Sequence, residues 1–271
     1  MIIYSDDGWN RFPTADLFNY FKGKGQNIEV KDKKDFPIIT KHPKYSMLQQ
    51  LKRTIILERE DDGFILFDFD DKSYFNRLSS LMQHPKCLKV LKAQFQKGIS
   101  DKDPRISPYT YWVKDPTTYR RMRTELFKEK KTENRLFYAG STVYGREEFL
   151  KGIRKILSKN DKMNQEDYLR ALSKHKVALS LPGSGNFCHR ELECFGAGTL
   201  VLMPKLKNQY FDDLIPDVHY IPVTVDDVVK KYYSVLNDGS KWSTTVNNAL
   251  SWFHRNIEFP ANMELTEKLL C

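Results

Sequence analysis

Arg190 and Glu193, three residues apart and just downstream of the loop Pro182-Gly-Ser-Gly-Asn186, are the side chains best equipped for chemistry on a charged ligand. A guanidinium meets two phosphate oxygens with parallel hydrogen bonds, and a carboxylate can accept from both hydroxyls of a ribose. The apolar run Val177-Ala-Leu-Ser-Leu181 before the loop has strand length, and a helical pattern starts near Cys188. Strand, glycine-containing loop and helix N-terminus together point unpaired backbone N–H groups and a helix dipole at whatever sits there. On that helix Arg190 and Glu193 share one face, while Leu192 and Phe195 lie on another and can anchor it to a sheet. The arrangement reads as a nucleotide site, with Gly183, Ser184, Gly185 and Asn186 as the loop residues facing the ligand. The competing reading is a surface ion pair on a helix, worth roughly a few tenths of a kcal/mol.

The run His189-Arg-Glu-Leu-Glu-Cys-Phe-Gly-Ala-Gly-Thr-Leu-Val-Leu202 resembles the exostosin-like glycosyltransferase pattern. In that pattern an arginine precedes a Glu-containing amphipathic helix, an ending of small residues and glycine, and a short apolar strand. Gly198 would close the helix as the residue after its C-cap, and Thr199 to Leu202 would form the strand. With the preceding strand and loop the resemblance covers roughly thirty residues. His189 stands where many members carry proline, and Leu200-Val201 where they often carry Ile-Pro.

The resemblance implies a two-domain, GT-B-type, metal-independent enzyme whose C-terminal domain binds the nucleotide. Small soluble members are similar to the capsid-glycan xylosyltransferases of large algal viruses. Implied with it are a UDP-sugar donor, UDP-xylose first, an oligosaccharide or glycoprotein glycan as acceptor, and inversion at the anomeric carbon. Arg135-Leu-Phe-Tyr-Ala-Gly-Ser141 looks like the family's first C-domain strand, ending in a glycine whose backbone can approach a diphosphate. Gly140, Ser141 and Arg146 then fall on the β-phosphate side, with an ordinary exposed helix arginine as the alternative for Arg146. Tyr168 and His175 flank the approach to the binding strand and either meet the base or serve as packing. Arg190, Arg146 and the glycine backbones would stabilise the departing diphosphate in place of a metal, and Glu193 would hold the ribose.

In such an enzyme the acceptor lies against the N-terminal domain, so the general base is sought there, in loops at the carboxyl ends of strands. Asp68-Phe-Asp-Asp71 and Asp6-Asp-Gly-Trp9 both qualify. Asp71 and Asp70 come first and Asp7 second; each could instead cap a turn or helix. Asp68-Phe-Asp70 also spells Asp-x-Asp after an apolar strand, the arrangement by which metal-dependent GT-A transferases hold Mn²⁺ or Mg²⁺. That alternative, with Asp68 and Asp70 as ligands, leaves the Arg190/Glu193 helix without a role; the preferred reading needs no cofactor.

The elements that would position these groups alternate along the chain. Strand candidates at Ile2 to Tyr4, Ile28 to Val30, Gly63 to Phe69 and Leu88 to Phe95 are interleaved with helical patterns at Ala15 to Phe21 and Tyr74 to Met82, the second cycle opening at Tyr45 to Leu51. Prolines 104, 108 and 116 make a regular element unexpected between Ser100 and Thr118, and the interdomain crossing is placed there. A second alternation follows: strand Arg135 to Ala139, helices Arg146 to Leu157 and Gln165 to Ser173, the Val177 strand, the Cys188 to Ala197 helix, strand Leu200 to Met203, a short helix near Tyr210 to Leu214, and strand His219 to Val223. Helical patterns at Val228 to Leu236 and Thr244 to Phe253, and one ending at Leu270, complete it. The expected fold is α/β and GT-B-like, two Rossmann-like domains with parallel sheets facing across a cleft. Residues 1–115 form the acceptor-side domain and 116–240 the nucleotide-sugar domain, with helices of about 240–271 packing back on the first.

With 271 residues, 40% hydrophobic and 29% charged, the chain lies far from the compositions that stay disordered. Its 44 basic and 35 acidic residues give +9, which favours anionic partners without choosing among them. Tyr119-Arg-Arg-Met-Arg123 is aromatic-basic text suited to a non-catalytic nucleic-acid-binding protein, yet no RNP, KH, zinc-finger or helix-turn-helix signature accompanies it, and no nucleic-acid partner is expected. G-x-G-x-x-G and Walker A sequences are absent, which argues against a nicotinamide dehydrogenase or a P-loop enzyme. The four cysteines make no C-x-x-C pair, consistent with reduced thiols. No apolar run reaches membrane-spanning length and none follows a basic start, so the expected location is a cytoplasm, that of the host cell for a viral member.

Overall fold

The computed structural model describes residues 1–5, 11–41, 53–60, 63–69, 79–98, 100–101, 103–109, 113, 116–140, 145–158, 163–183, 185, 187–210 and 212–270. They form two compact units, Met1–Tyr111 with Asn208–Phe211 and Phe259–Cys271, and Trp112–Lys207 with Asp212–Glu258.

Unit 1 carries β1 (Ile2–Ser5), α1 (Arg11–Gly23), β2 (Glu29–Asp32), α2 (Pro37–Lys41), β3 (Thr54–Glu58), β4 (Phe64–Asp68), α3 (Ser79–Met82), β5 (Cys87–Lys92) and β6 (Ile106–Pro108). The strands make one sheet in the order β2-β1-β3-β4-β5-β6. Only β3 runs against the others: β1 and β4 each pair with it antiparallel, while β1–β2, β4–β5 and β5–β6 are parallel. The interior strands read as continuous apolar runs because both faces are covered, with Ile55, Ile56, Leu57 and Phe64 through Phe67 at most 1% exposed. Leu17, Tyr20 and Phe21 give α1 one buried stripe.

β3 was not expected. Its signal is the Ile-Ile-Leu run followed by the turn-type sequence Asp61-Asp62-Gly63; β3 and β4 pair antiparallel, and the Arg59 N–H bonds the Gly63 carbonyl at 2.8 Å. The proline-rich stretch also holds regular structure. β6 is a three-residue edge strand, where Pro108 costs the sheet no interior hydrogen bond. The Tyr45 to Leu51 pattern lies outside the described residues.

Unit 2 begins with α4 (Pro116–Lys128), which the sequence reading also overlooked. Proline is well placed at a first helical position, and Tyr119, Met122 and Leu126 are buried at helical spacing. The aromatic-basic text is therefore an amphipathic helix: the Tyr119 hydroxyl donates to the Gly196 carbonyl at 3.1 Å, and Arg121 and Arg123 pair with Glu166 and Glu258 at 2.6 and 3.0 Å. There follow α5 (Arg146–Ile153), α6 (Gln165–Lys174), β7 (Val177–Leu179), α7 (His189–Gly196), β8 (Leu200–Met203), β9 (Ile221–Pro222), α8 (Val228–Asn237) and α9 (Gly239–Asn256). β7, β8 and β9 form a parallel sheet in that order. Single parallel bridges extend it, Phe137 to Ala178 and Leu136 to Leu157, so the expected Arg135 to Ala139 strand is reduced to two paired residues. Its core joins Leu136, Val177, Leu179, Leu200, Leu202 and Ile221 to Val228, Tyr232 and Val246.

α7 ends as the sequence suggested. Gly198 follows the Ala197 C-cap at φ +63°, the left-handed conformation that glycine adopts without steric cost. The short helix expected near Tyr210 to Leu214 is irregular chain among the described residues, because the backbone there makes non-local bonds, Gln209 N–H to the Phe95 carbonyl at 2.9 Å. α10 (Ala261–Leu270) belongs to unit 1, where Tyr20 and Lys24 reach Glu267 at 2.8 and 2.6 Å and the Tyr109 and Thr266 hydroxyls meet at 2.7 Å. No helix among the described residues is long and apolar enough to cross a membrane.

Candidate functional site

At the carboxyl edge of the unit 2 sheet, two loops leave neighbouring parallel segments and two arginines meet them. After β7 the chain runs through Ser180, Leu181, Pro182 and Gly183 toward α7; after Phe137 it runs through Tyr138 to Gly140. Arg146, the first residue of α5, is 7% exposed, and its Nε donates to the Pro182 carbonyl at 2.9 Å. A Cβ added at Gly183 would lie 3.2 Å from the Arg146 Nη2. Arg190, on the first turn of α7, reaches the other way. A Cβ at Gly140 would lie 2.8 Å from the Tyr138 hydroxyl and 3.1 Å from the Arg190 Nη2, so a side chain there would push on the guanidinium.

The Arg190 guanidinium is weakly held. Among the described residues its hydrogen bonds are two long ones, Nη1 to the Ser180 Oγ at 3.4 Å and to the Leu181 carbonyl at 3.5 Å, and its carbon sits 5.7 Å from the centre of the Tyr138 ring. Five N–H donors in a fixed fork far exceed those partners. Burial works against its charge, but its acidic neighbours, the Glu191 carboxylate among them, more than offset this and hold Arg190 above the ordinary arginine range. A cation with donors to spare, beside glycine backbone and a helix N-terminus, has the chemistry to receive an anion.

Glu193 lies deeper, 4% exposed, with Oε1 accepting from the Gln165 Nε2 at 2.9 Å. Tyr168 stands beside it on α6. Among the described residues its buried hydroxyl has no hydrogen-bond partner of acceptable geometry, and burial, then Glu193, raises its pKa well above the usual tyrosine value. Tyr168 is thus a protonated donor. His175 takes the packing alternative: it is 7% exposed, Nδ1 lies 2.7 Å from the Ala171 carbonyl, its ring is 4.8 Å from that of Phe137, and burial lowers its pKa.

Arg146 thus meets the loop at Pro182 and Gly183, and Arg190 meets Leu181 and Gly140, with Tyr168 on α6 and Glu193 one turn further along α7. Gly185 is described as part of the loop; Ser141, Ser184 and Asn186 lie outside the described residues. Sequence reasoning passed over Glu191, Ser180, Gln165 and Tyr138. Glu191 had a signal, for Cys188-x-x-Glu191 has capping-box spacing, and its Oε2 accepts the Cys188 backbone N–H at 2.9 Å.

In unit 1 the carboxyl edge of the sheet is also polar. Ser5, Lys33, Asp68 and Lys92 are all buried there; the Thr14 hydroxyl donates to the Ser5 Oγ at 2.8 Å, and the Lys33 Nζ to the Thr54 carbonyl at 3.2 Å. Asp68 and Lys92 face each other across parallel strands with Nζ 2.7 Å from Oδ2. This donor set does not fit a divalent cation, since an ammonium already lies against the Asp68 carboxylate. Asp7, Asp70 and Asp71 lie outside the described residues. Among the described residues no cluster of His, Cys, Asp or Glu is disposed to hold a metal.

Two α/β units, each on a sheet rich in parallel strands, place the chain in the GT-B-like fold class. It is similar to a glycosyltransferase from Rickettsia africae, at 10% identity over 99% of this chain and 97% of that one, with TM-score 0.56. It is similar also to Anabaena HepE in complex with UDP and glucose, at 10% identity over 97% of this chain and 83% of that one, with TM-score 0.51. At that identity the likeness shows the fold. No protein-family model matches the chain, and no curated protein matches it.

Proposed function

We propose that the chain is an inverting glycosyltransferase that moves a sugar from a UDP-sugar to a glycan hydroxyl, with unit 2 holding the nucleotide. The observation that carries this is Arg190, a partly buried guanidinium whose hydrogen bonds among the described residues are two long ones at 3.4 and 3.5 Å, poised beside Gly140 at the carboxyl edge of a parallel sheet. Ligands of open α/β sheets bind at that edge. The uridine moiety is supported by the likeness to HepE, whose complex holds UDP and glucose. UDP-xylose is the donor, and a glycan the acceptor, that the exostosin-like run from His189 to Leu202 implies.

In the reaction a base takes the proton of the acceptor hydroxyl, the oxygen attacks the anomeric carbon from the face opposite the diphosphate, and the bond from that carbon to the diphosphate oxygen breaks. Negative charge grows on the leaving diphosphate, where Arg190 and Arg146 supply fixed donors in place of a metal. Glu193 accepts from the ribose, its Oε1 already oriented by Gln165. The proposed base is Asp71 or Asp70, then Asp7.

Arg190→Ala is expected to lower the rate of UDP release from a UDP-sugar about 100-fold or more, as loss of a charge-stabilising donor does, with circular dichroism and melting temperature retained. Near-normal turnover in that variant contradicts the assignment.

A further inference from the structure

We infer that Glu191 is a positioning residue for the anion site, acting on Arg190 through the Ser180 hydroxyl. The inference rests on the donor-site reading above and concerns a residue whose side chain is buried behind Ser180 and Cys188. Glu191 is 2% exposed and Ser180 is fully buried. The two carboxylate oxygens divide their work: Oε2 accepts the Cys188 N–H at 2.9 Å, fixing the first turn of α7, and Oε1 accepts the Ser180 hydroxyl at 2.6 Å, tying that turn to the end of β7.

The Ser180 hydroxyl has one proton and two acceptor sites. With its proton committed to Glu191, its oxygen presents only lone pairs to the Arg190 Nη1, 3.4 Å away. An ionised carboxylate can only accept, so it sets the direction of the whole chain, from guanidinium to hydroxyl to carboxylate. Its charge also balances part of the cost of a cation placed in this environment. An ordinary capping box would need only the Cys188 contact. The second bond, buried and aimed through Ser180, orients a guanidinium whose remaining donors face the loop at Gly140.

Glu191→Gln keeps the shape but can turn an amide N–H₂ toward Ser180, which reverses the hydroxyl and points its proton at Arg190. The test is calorimetric titration of UDP and of uridine, which lacks the phosphates, into the wild type, Glu191→Gln, Ser180→Ala, Arg190→Ala and the Arg190→Ala/Glu191→Gln double variant. Glu191→Gln and Ser180→Ala are each expected to weaken UDP binding about tenfold, the scale of one charge-assisted hydrogen bond, and to leave uridine binding unchanged. In the Arg190→Ala background the Glu191→Gln effect on UDP should vanish. Equal losses for UDP and uridine, or an undiminished effect in the Arg190→Ala background, overturn the inference in favour of simple helix stabilisation. Should Glu191→Gln not fold, Ser180→Ala decides by the same comparison. Wild-type protein that binds no UDP contradicts the donor-site reading itself, whereas normal wild-type binding with unaltered variants overturns this inference alone.

Discussion

Arg190 and Glu193 sit three residues apart on α7, yet the structure gives them different surroundings. Among the described residues Arg190 has only bonds of 3.4 and 3.5 Å, whereas Glu193 is buried and bonded to Gln165 at 2.9 Å. One side chain keeps donors for a further partner; the other is already held by a neighbouring amide. Replacing Glu193 by Gln removes the negative acceptor and introduces a competing donor. Glu193→Gln should therefore weaken binding of UDP about tenfold and abolish any preference for UDP over its 2′,3′-dideoxy analogue. A retained preference in competition titrations assigns the ribose to another residue. The Arg190 and Glu193 spacing was legible because helical periodicity alone puts both on one face. The capping-box spacing of Glu191 was legible too, but its tie to Ser180, like that of Gln165 to Glu193, depends on contacts between α7 and β7 or α6 that no local pattern announces.

α7 is prepared at both ends. Glu191 fixes its start, Gly198 turns the chain after it, and the Lys131 Nζ donates to the Ala197 carbonyl and the Thr199 Oγ1, both at 2.8 Å. A cation suits the negative end of a helix dipole, but burial lowers the Lys131 pKa from 10.5 to about 8. The folded chain thus gives up this proton near pH 8 while the unfolded chain keeps it toward pH 10.5. Between those values the unfolded state binds more protons, and the lysine's contribution to stability rises with pH. Melting temperature should accordingly rise from pH 8 to pH 10 in the wild type relative to Lys131→Met; a constant difference between the two proteins contradicts the burial account.

Elements with strong local chemistry were readable from the sequence: α7 through its glycine stop, β7 and β8 through short apolar runs, α6 through its Leu169 and Leu172 stripe. β3 was missed because Lys52-Arg53 and the acidic turn after Glu58 obscured a five-residue run, although Asp-Gly hairpin chemistry was present. β6 and α4 were missed because proline was read as a breaker where it occupies an edge and a helix start. The Leu136 and Phe137 segment pairs so briefly that periodicity overstated it as a strand.

At the scale of the whole chain, each unit puts polar groups at the carboxyl edge of a parallel-rich sheet. Unit 2 offers a guanidinium with donors to spare, and unit 1 a closed Asp68–Lys92 pair at 2.7 Å. The asymmetry supports the proposal that unit 2 receives the anion, while a divalent cation at Asp68 would have to displace the Lys92 ammonium. Ligand binding to the native state alone raises stability with the logarithm of ligand concentration. The central claim is met most directly by titrating UDP into the wild-type chain in a calorimeter, in buffer containing a chelator of divalent metals. The account predicts saturable one-to-one binding there; no heat of binding, or binding that emerges only after Mn²⁺ is added in excess of the chelator, would contradict it.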